Sequence, residues 1–174
     1  MNHYFEHRLQ CFNEGVRFLF TTEYDNNVHS MLYHGEINDD GEIGWQPVVK
    51  NIIHYLDALE GELNCRFHRS IYDYFNSYWF ADLDGFIDGH YVSLEPVLPG
   101  VELIRFAKNL QGYKDNHHNT LKYAPIGIEG NGLLVVINND SGQVGLEDFE
   151  RKEFTVLSDR LGELIASLRV KKSL

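Results

Sequence analysis

The sequence predicts an α+β domain in which an antiparallel sheet of about five strands packs against helices. Short apolar segments in the second half of the chain are separated by Asp88-Gly89 and Gly130-Asn131-Gly132, which favour hairpin turns. Other segments repeat apolar residues at spacings of three and four, as amphipathic helices do. With 174 residues, 43% of them hydrophobic, the chain can bury one core, so we expect a single domain over residues 1–174.

The helices are predicted from apolar periodicity and from their boundary residues. Pro47 suits a first helical turn, because its missing N–H would be unpaired there anyway. The predicted buried side of that helix consists of Val49, Ile52, Ile53, Leu56 and Leu59. The predicted helices cover, in order, residues 5–19, 47–61, 64–78, 100–113 and 157–168.

The strands are predicted from short apolar runs between turn signals. Leu133 to Ile137 is apolar at every position, which predicts a central strand covered on both faces. Residues 21–44 carry several Asn, Asp and Gly and predict a long loop, with a short strand at 30–33. The predicted strands of the sheet cover residues 79–87, 90–94, 125–129, 133–137 and 143–147.

The charge of the chain is strongly negative and unevenly placed. The formal net charge is −11, which argues against nucleic acid as a partner, since its phosphates need cationic side chains. Residues 36–62 hold seven carboxylates and one base, and residues 79–104 hold no Lys or Arg. This acidic middle is either a solvated surface or a docking face for a basic partner.

The sequence lacks the constellations that predict catalysis or metal binding. His117-His118 has no third ligand at a suitable spacing, and Asp82-x-Asp84-Gly lacks the terminal Glu of a calcium loop. No nucleophile elbow, zinc-protease motif or phosphate-binding loop is present. We therefore expect a non-enzymatic protein without metal or cofactor. Two cysteines and no signal peptide at Met1 predict a cytoplasmic location.

Several segments, in order along the chain, resemble the Syd family of SecY-interacting proteins, a branch of the SUKH superfamily. Trp45-Gln46-Pro47 resembles a Trp-Gln-Pro of that family, and residues 109–113 resemble its Asn-Leu-Ile-Gly-His. Asn139 to Glu147 resembles its Asn-x-Ser-Gly-Glu-Val-x-Leu-Glu. The likeness covers residues 45–168, with Gln111 and Tyr113 as departures, whereas residues 1–44 match the pattern poorly.

This resemblance implies a SUKH-like fold and a binding function. It implies docking on SecY at the cytoplasmic face of the inner membrane as a regulator or quality check, with membrane association only through that protein partner. Cytoplasmic loops of membrane proteins are rich in Lys and Arg, which suits an acidic partner. Because other members of the superfamily act as immunity proteins, neutralisation of a basic toxin is the alternative.

The predicted partner-binding residues lie around the Asp88-Gly89 hairpin. They combine acids from the segment that has no Lys or Arg with two aromatic residues at a helix–strand junction, where amphipathic rings often anchor interfaces. Asp82 and Asp84 are two apart and should share one strand face. The predicted set is Tyr78, Trp79, Asp82, Asp84, Asp88 and Glu95.

Overall fold

The structure, a computed structural model, describes residues 1–172 apart from the side chain of Glu102, and it confirms the α+β class. The helices are α1 (Asn2–Asn13), α2 (Asp57–Leu63), α3 (Arg69–Phe75), α4 (Glu102–Asn116) and α5 (Leu161–Ser167), with short 3-10 helices at Arg17–Phe20 and Ser30–Leu32. The strands are β1 (Thr21–Glu23), β2 (Tyr33–His34), β3 (Glu42–Trp45), β4 (Val48–Val49), β5 (Tyr78–Trp79), β6 (Leu83–Ile87), β7 (His90–Leu94), β8 (Tyr123–Glu129), β9 (Leu134–Asn138), β10 (Val144–Asp148) and β11 (Glu153–Ser158).

The main sheet has six antiparallel strands in the order β11-β10-β9-β8-β7-β6. Five of them correspond to the predicted strands, and β11 is the one that the sequence analysis missed. Strand β9 is interior, and Val135, Val136 and Ile137 are fully buried, as the apolar run predicted. The outer edge of β6 is covered where Phe86 and Arg169 exchange backbone hydrogen bonds of 2.8 and 2.9 Å. This bridge caps an otherwise open edge.

Two smaller sheets stand where a loop and a helix were predicted. Strands β1, β3 and β2 form a three-stranded sheet in that order, so the prediction of a long loop over residues 21–44 is wrong. Strand β4 pairs with β5, and this pairing holds the chain after Pro47 extended. The predicted helix at Pro47 is therefore wrong, and α2 begins only at Asp57.

The first and last helices are shorter than the periodicity predicted. The chain leaves α1 at Asn13 and passes Gly15, whose φ of +113° suits glycine, so Leu19 lies in a separate 3-10 turn. At the other end, Leu157 belongs to β11, and α5 starts at Leu161. Leucines at spacings of four and three do not reveal whether the first of them lies in a strand.

The turn between β9 and β10 braces the start of α3. The side-chain oxygen of Asn138 accepts hydrogen bonds from the amides of Asp140 and Ser141 at 2.9 and 3.2 Å. Gly142 has a φ of +77°, and a Cβ there would clash with the ring of His68, the residue before α3. The motif from Asn139 to Glu147, which carries much of the family resemblance, thus has a structural role, because its turn packs against the residue that precedes α3.

Candidate partner-binding surface

A buried arginine is the centre of the charge network around β6. Arg8 of α1 is 3% exposed, and its Nη1 donates to Asp84 Oδ1 at 2.5 Å and to the Tyr4 hydroxyl at 2.6 Å. Its Nε and Nη2 donate to the carbonyl of Leu19 at 2.9 and 2.6 Å. The Tyr91 hydroxyl donates to the other Asp84 oxygen at 2.6 Å. Both carboxylate oxygens of Asp84 are therefore occupied by partners from its own chain.

Asp82 lies at the margin of this network and faces solvent. Its Oδ2 is 4.0 Å from Arg8 Nη2, and 41% of its side chain is exposed. Partial burial of the carboxyl group, together with the nearby charge of Asp84, raises the pKa of Asp82 to about 6, although the Arg8 cation opposes the shift. Asp82 and Asp84 do approach the same cation, but only Asp82 is available to a partner.

Glu95 is held at the end of β7 by residues of α4. Arg105 Nε lies 3.8 Å from Glu95 Oε1, and Asn109 Nδ2 donates to Oε2 at 3.2 Å. Burial raises the pKa of this carboxyl group, while Arg105 and Asn109 lower it. Residues 79–104 contain no Lys or Arg, but Arg8 and Arg105 reach two of their acids from outside that segment.

The structure separates the remaining predicted residues. Trp79 is 3% exposed and lies in the core, so its ring is not available at the surface. Tyr78 is half-buried, packs on Phe5 and donates its hydroxyl to Asn2 Oδ1 at 2.7 Å. Asp88 is exposed in the β6–β7 turn, four residues beyond Asp84 and so roughly 13 Å along the strand. The six residues thus do not form one contiguous surface.

A cleft of about 700 Å³ brings Asp82 together with acids that the sequence analysis did not single out. Glu23 ends β1 and Asp25 lies in the following turn, and both line the cleft with Asp82. We call this cleft, with the carboxylates of Glu23, Asp25 and Asp82 in its lining, the acidic groove. Asp25 accepts hydrogen bonds of 2.8 Å from the amide and side chain of Asn27, which lower its pKa. The groove therefore offers carboxylates from two distant parts of the chain.

The three-stranded sheet of β1, β3 and β2 adds further negative charge beside the groove. Glu23 lies directly opposite Glu42 in the β1–β3 pairing, an arrangement that costs free energy because like charges face each other. Within residues 1–172, no Lys, Arg or His lies within 4.0 Å of Glu23, Asp25 or Glu42. The sequence hinted at this surface only through the uneven charge of its middle segment.

A second cleft, of about 730 Å³, lies between α4 and strands β7 to β9. Glu95, Arg105, Lys108 and Asn109 line it. Arg105 also lines the acidic groove, so its exposed side chain stands between the two clefts. Arg105 consequently places a positive charge between the groove and Glu95.

Among the side chains that the structure describes, no group of three or more His, Cys, Asp or Glu has the geometry to hold a metal ion. The cysteines Cys11 and Cys65 are both free, and the first is buried. No helix in this part of the chain has the length and apolar character needed to cross a membrane.

Comparison with known proteins places the chain in a family. A sequence model described as Syd protein (SUKH-2) matches residues 1–169. The chain belongs to the Syd family. The match includes residues 1–44, which supply α1 with Arg8 and the strand that carries Glu23.

Curated relatives support this assignment. The chain is 32% identical over 144 residues to a Protein Syd of Idiomarina loihiensis, covering 80% of this chain and 78% of the relative. It is 30% identical over 135 residues to a Protein Syd of Erwinia tasmaniensis, covering 75% of this chain and 72% of the relative. A Protein Syd of Aliivibrio fischeri is 27% identical over 133 residues, covering 74% and 72%.

Replacing the buried arginine tests the charge network at the centre of this Syd-family fold. Arg8→Ala leaves the Asp84 carboxylate buried without its cation, so we expect the free energy of unfolding to fall by about 3–5 kcal/mol in urea titrations. The control is Arg69→Ala, because Arg69 forms an exposed pair with Asp73 and should cost less than about 1 kcal/mol. Equal losses in the two variants would contradict a structural role for Arg8.

The raised pKa of Asp82 predicts a pH-dependent stability. The protonated form is favoured in the folded state, so this contribution is complete below the ordinary pKa of 3.8 and is lost as pH rises through about 6. Asp82→Asn has no carboxyl group to ionise, so the variant does not lose this stability as pH rises. We expect the variant to exceed the wild type by about 1 kcal/mol near pH 7.5, a value reduced for solvent exposure, and to gain nothing near pH 4.

Thermal unfolding at both pH values measures the Asp82 effect. Asp40→Asn is the control, since it removes one charge from an exposed position in the β2–β3 turn. An identical difference between wild type and Asp82→Asn at both pH values would show that the carboxyl group is not shifted by the fold.

Proposed function

We propose that this protein is a non-enzymatic binding protein that docks, through its acidic groove, on basic cytoplasmic loops of the SecY translocon. The observation that carries the proposal is the convergence of Glu23, Asp25 and Asp82 on one cleft of about 700 Å³. A cleft that concentrates carboxylates focuses the field of the protein at one place and steers a cationic partner toward it.

The family supplies the identity of the partner. Membership of the Syd family is shown for residues 1–169, and the family resemblance implies SecY as the target. Cytoplasmic loops of membrane proteins carry an excess of Lys and Arg, which complements a chain of net charge −11. The proposed site of action is accordingly the cytoplasmic face of the inner membrane, where the protein acts as a regulator or quality check.

The residues of the predicted set take different parts in this proposal. Asp82 contacts the partner directly, and Glu95 accepts a basic side chain once Arg105 has moved aside. Asp84 is a positioning residue, since its charge is used to fix Arg8. Tyr78 and Asp88 contribute at the periphery, and Trp79 supports the surface from the core.

Reversing the charge of the groove should slow association. Glu23→Lys/Asp25→Lys is preferable to reversal at Asp84, which would disrupt the buried pair with Arg8. We expect the association rate with SecY in nanodiscs to fall by about tenfold in low salt, with a smaller difference near 0.5 M salt, where screening shortens to a few ångströms. Surface plasmon resonance at both salt concentrations measures the effect.

The control for the groove variant has the same change in net charge. Glu150→Lys/Glu153→Lys alters two exposed acids close to and in β11, outside the groove. If this control slows association as much as Glu23→Lys/Asp25→Lys, overall charge governs the encounter and the acidic groove is not the docking site.

Arg105 should behave as an internal competitor of the partner. Arg105→Gln frees Glu95 and removes a cation from the edge of the groove, so we expect binding to SecY to tighten several-fold. Lys108→Gln removes the same charge from a residue that lines only the second cleft and makes no ion pair with any acidic side chain that the structure describes. Equal tightening by both variants would show that the effect of Arg105→Gln comes from the change in net charge and not from the position of Arg105.

The contact with Glu95 can be isolated in the same titrations. Glu95→Gln removes the carboxylate that Arg105 approaches at 3.8 Å. Added to Arg105→Gln, it should abolish most of the tightening if a partner side chain replaces Arg105 there. Additive effects of the two changes would contradict that exchange.

A further inference from the structure

The loop between β4 and α2 exposes a dense group of large apolar side chains. Val49 is 65% exposed, Ile52 52%, Ile53 67% and Tyr55 75%. These are the residues that the sequence analysis assigned, in part, to the buried side of a helix. We call residues 49–55 the apolar loop. Its exposed residues are too closely spaced to count as scattered surface hydrophobics, which need no explanation.

The apolar loop turns its basic side chains inward. Lys50 is 8% exposed, and its Nζ donates to the carbonyl of Phe75 at 2.7 Å and lies 3.5 Å from the ring centroid of Trp79. His54 packs edge-on against the same indole, with ring centroids 5.5 Å apart. This is the reverse of the usual distribution, in which the charged group of a lysine reaches water and apolar side chains are covered.

The loop is held in this orientation by backbone hydrogen bonds to the end of α3. The amide of Lys50 donates to the carbonyl of Ser77 at 3.1 Å. The side chain of Asn76 accepts from the amide of His54 at 2.6 Å and donates to its carbonyl at 3.1 Å. The apolar side chains are thus presented by an anchored loop, so a partner would not have to order the loop on binding.

The charge of the segment sets it apart from the rest of the molecule. No Asp or Glu occurs from residue 43 to residue 56, in a chain of net charge −11. Since Lys50 is buried, the exposed part of the loop carries amide and apolar groups but no formal charge. Such a surface can enter a bilayer interface without desolvating an ion, which is the main cost of insertion for polar segments.

We infer that the apolar loop inserts into the interfacial region of a lipid bilayer. The occupant is lipid because the loop projects three aliphatic side chains together with Tyr55, whose amphipathic ring suits the level of the headgroups. The inference rests on the proposed function only for its location beside a membrane protein. It adds a direct lipid contact to the association through a protein partner that the family resemblance implies.

A tryptophan reporter tests the insertion without SecY. Both native tryptophans are buried, with Trp45 fully covered and Trp79 3% exposed, so a new exposed indole reports its own environment. Ile53→Trp should shift its emission to shorter wavelength on phosphatidylcholine vesicles and be quenched by brominated lipid. Ile104→Trp is the matched control, because Ile104 on α4 is also 67% exposed and should show neither change.

Vesicle sedimentation of the otherwise unaltered protein provides the second measurement. Ile52→Ser/Ile53→Ser should reduce partitioning about tenfold or more, and because both side chains are exposed the unfolding midpoint should stay close to that of the wild type. Partitioning into phosphatidylcholine should not depend on salt. Adding anionic phosphatidylglycerol should weaken it in low salt, because the protein is negative.

These outcomes separate the lipid contact from the proposed docking on SecY. If the new indole at position 53 neither shifts nor is quenched, or if its shift follows protein concentration without vesicles, the lipid inference is overturned, and self-association explains the latter result. Neither result affects the salt-dependent binding of SecY by the acidic groove. Conversely, Glu23→Lys/Asp25→Lys, which should slow association with SecY, should leave partitioning into phosphatidylcholine vesicles unchanged.

Discussion

The desolvated charge of Arg8 is the constraint on which the rest of this structure depends. A buried guanidinium has to find acceptors for its donors, and here they come from Tyr4, Leu19 and Asp84. These partners tie α1, the 3-10 turn before β1 and the first residues of β6 to one point. The acidic groove lies between the strand that follows Leu19 and the segment that precedes Asp84. The segments on the two sides of the groove are therefore linked through a cation that is only 3% exposed.

The surface of the molecule divides its charge in a way that composition does not show. Some acids pair with bases of the same chain, as Asp84 does with Arg8. Glu23 and Glu42, in contrast, face each other on neighbouring strands, and no base of the described chain lies within ion-pair distance of them. Two facing carboxylates of this kind strengthen the negative field at this edge of the molecule. A few residues away in sequence, the apolar loop carries no exposed charge at all.

Local patterns predicted the half of the fold in which neighbours in sequence pair with each other. Strands β6 and β7 are joined by a tight turn, and so are β8, β9 and β10, whereas α4 lies between β7 and β8. Asp88-Gly89, with φ of +49° and +85°, adopts the left-handed turn that the dipeptide favours. Val49, Ile52, Ile53 and Leu56 have the spacing of a helix, but β5 lies beside the first of them and holds the chain extended. The strand pairing that prevents the helix involves residues some thirty positions apart, and the periodicity of a local segment contains no information about it.

The candidate site was predictable only in its sign of charge. Asp82 was found because an acidic segment without Lys or Arg is visible in the sequence. The pairing of Asp84 with Arg8 spans 76 positions, so the cancellation of its charge depends on tertiary structure. Trp79 looked like an interface residue by composition, whereas Lys50 and His54 cover it. Charge clusters thus indicate a class of partner, and the fold decides which of the charges meet it.

The pairing of β4 with β5 has a consequence for the proposed contacts with SecY and with lipid. This two-stranded sheet joins the base of the apolar loop to the segment that continues through Phe80 to Asp82, so both surfaces belong to one packed body. When one contact forms, the other becomes an intramolecular event governed by an effective concentration, and two weak affinities multiply into a useful avidity. A translocon in solution or a bare bilayer offers only one of the two contacts and therefore none of that gain. Residence would therefore be long only where channel and lipid occur together, and loss of either contact would release the protein quickly.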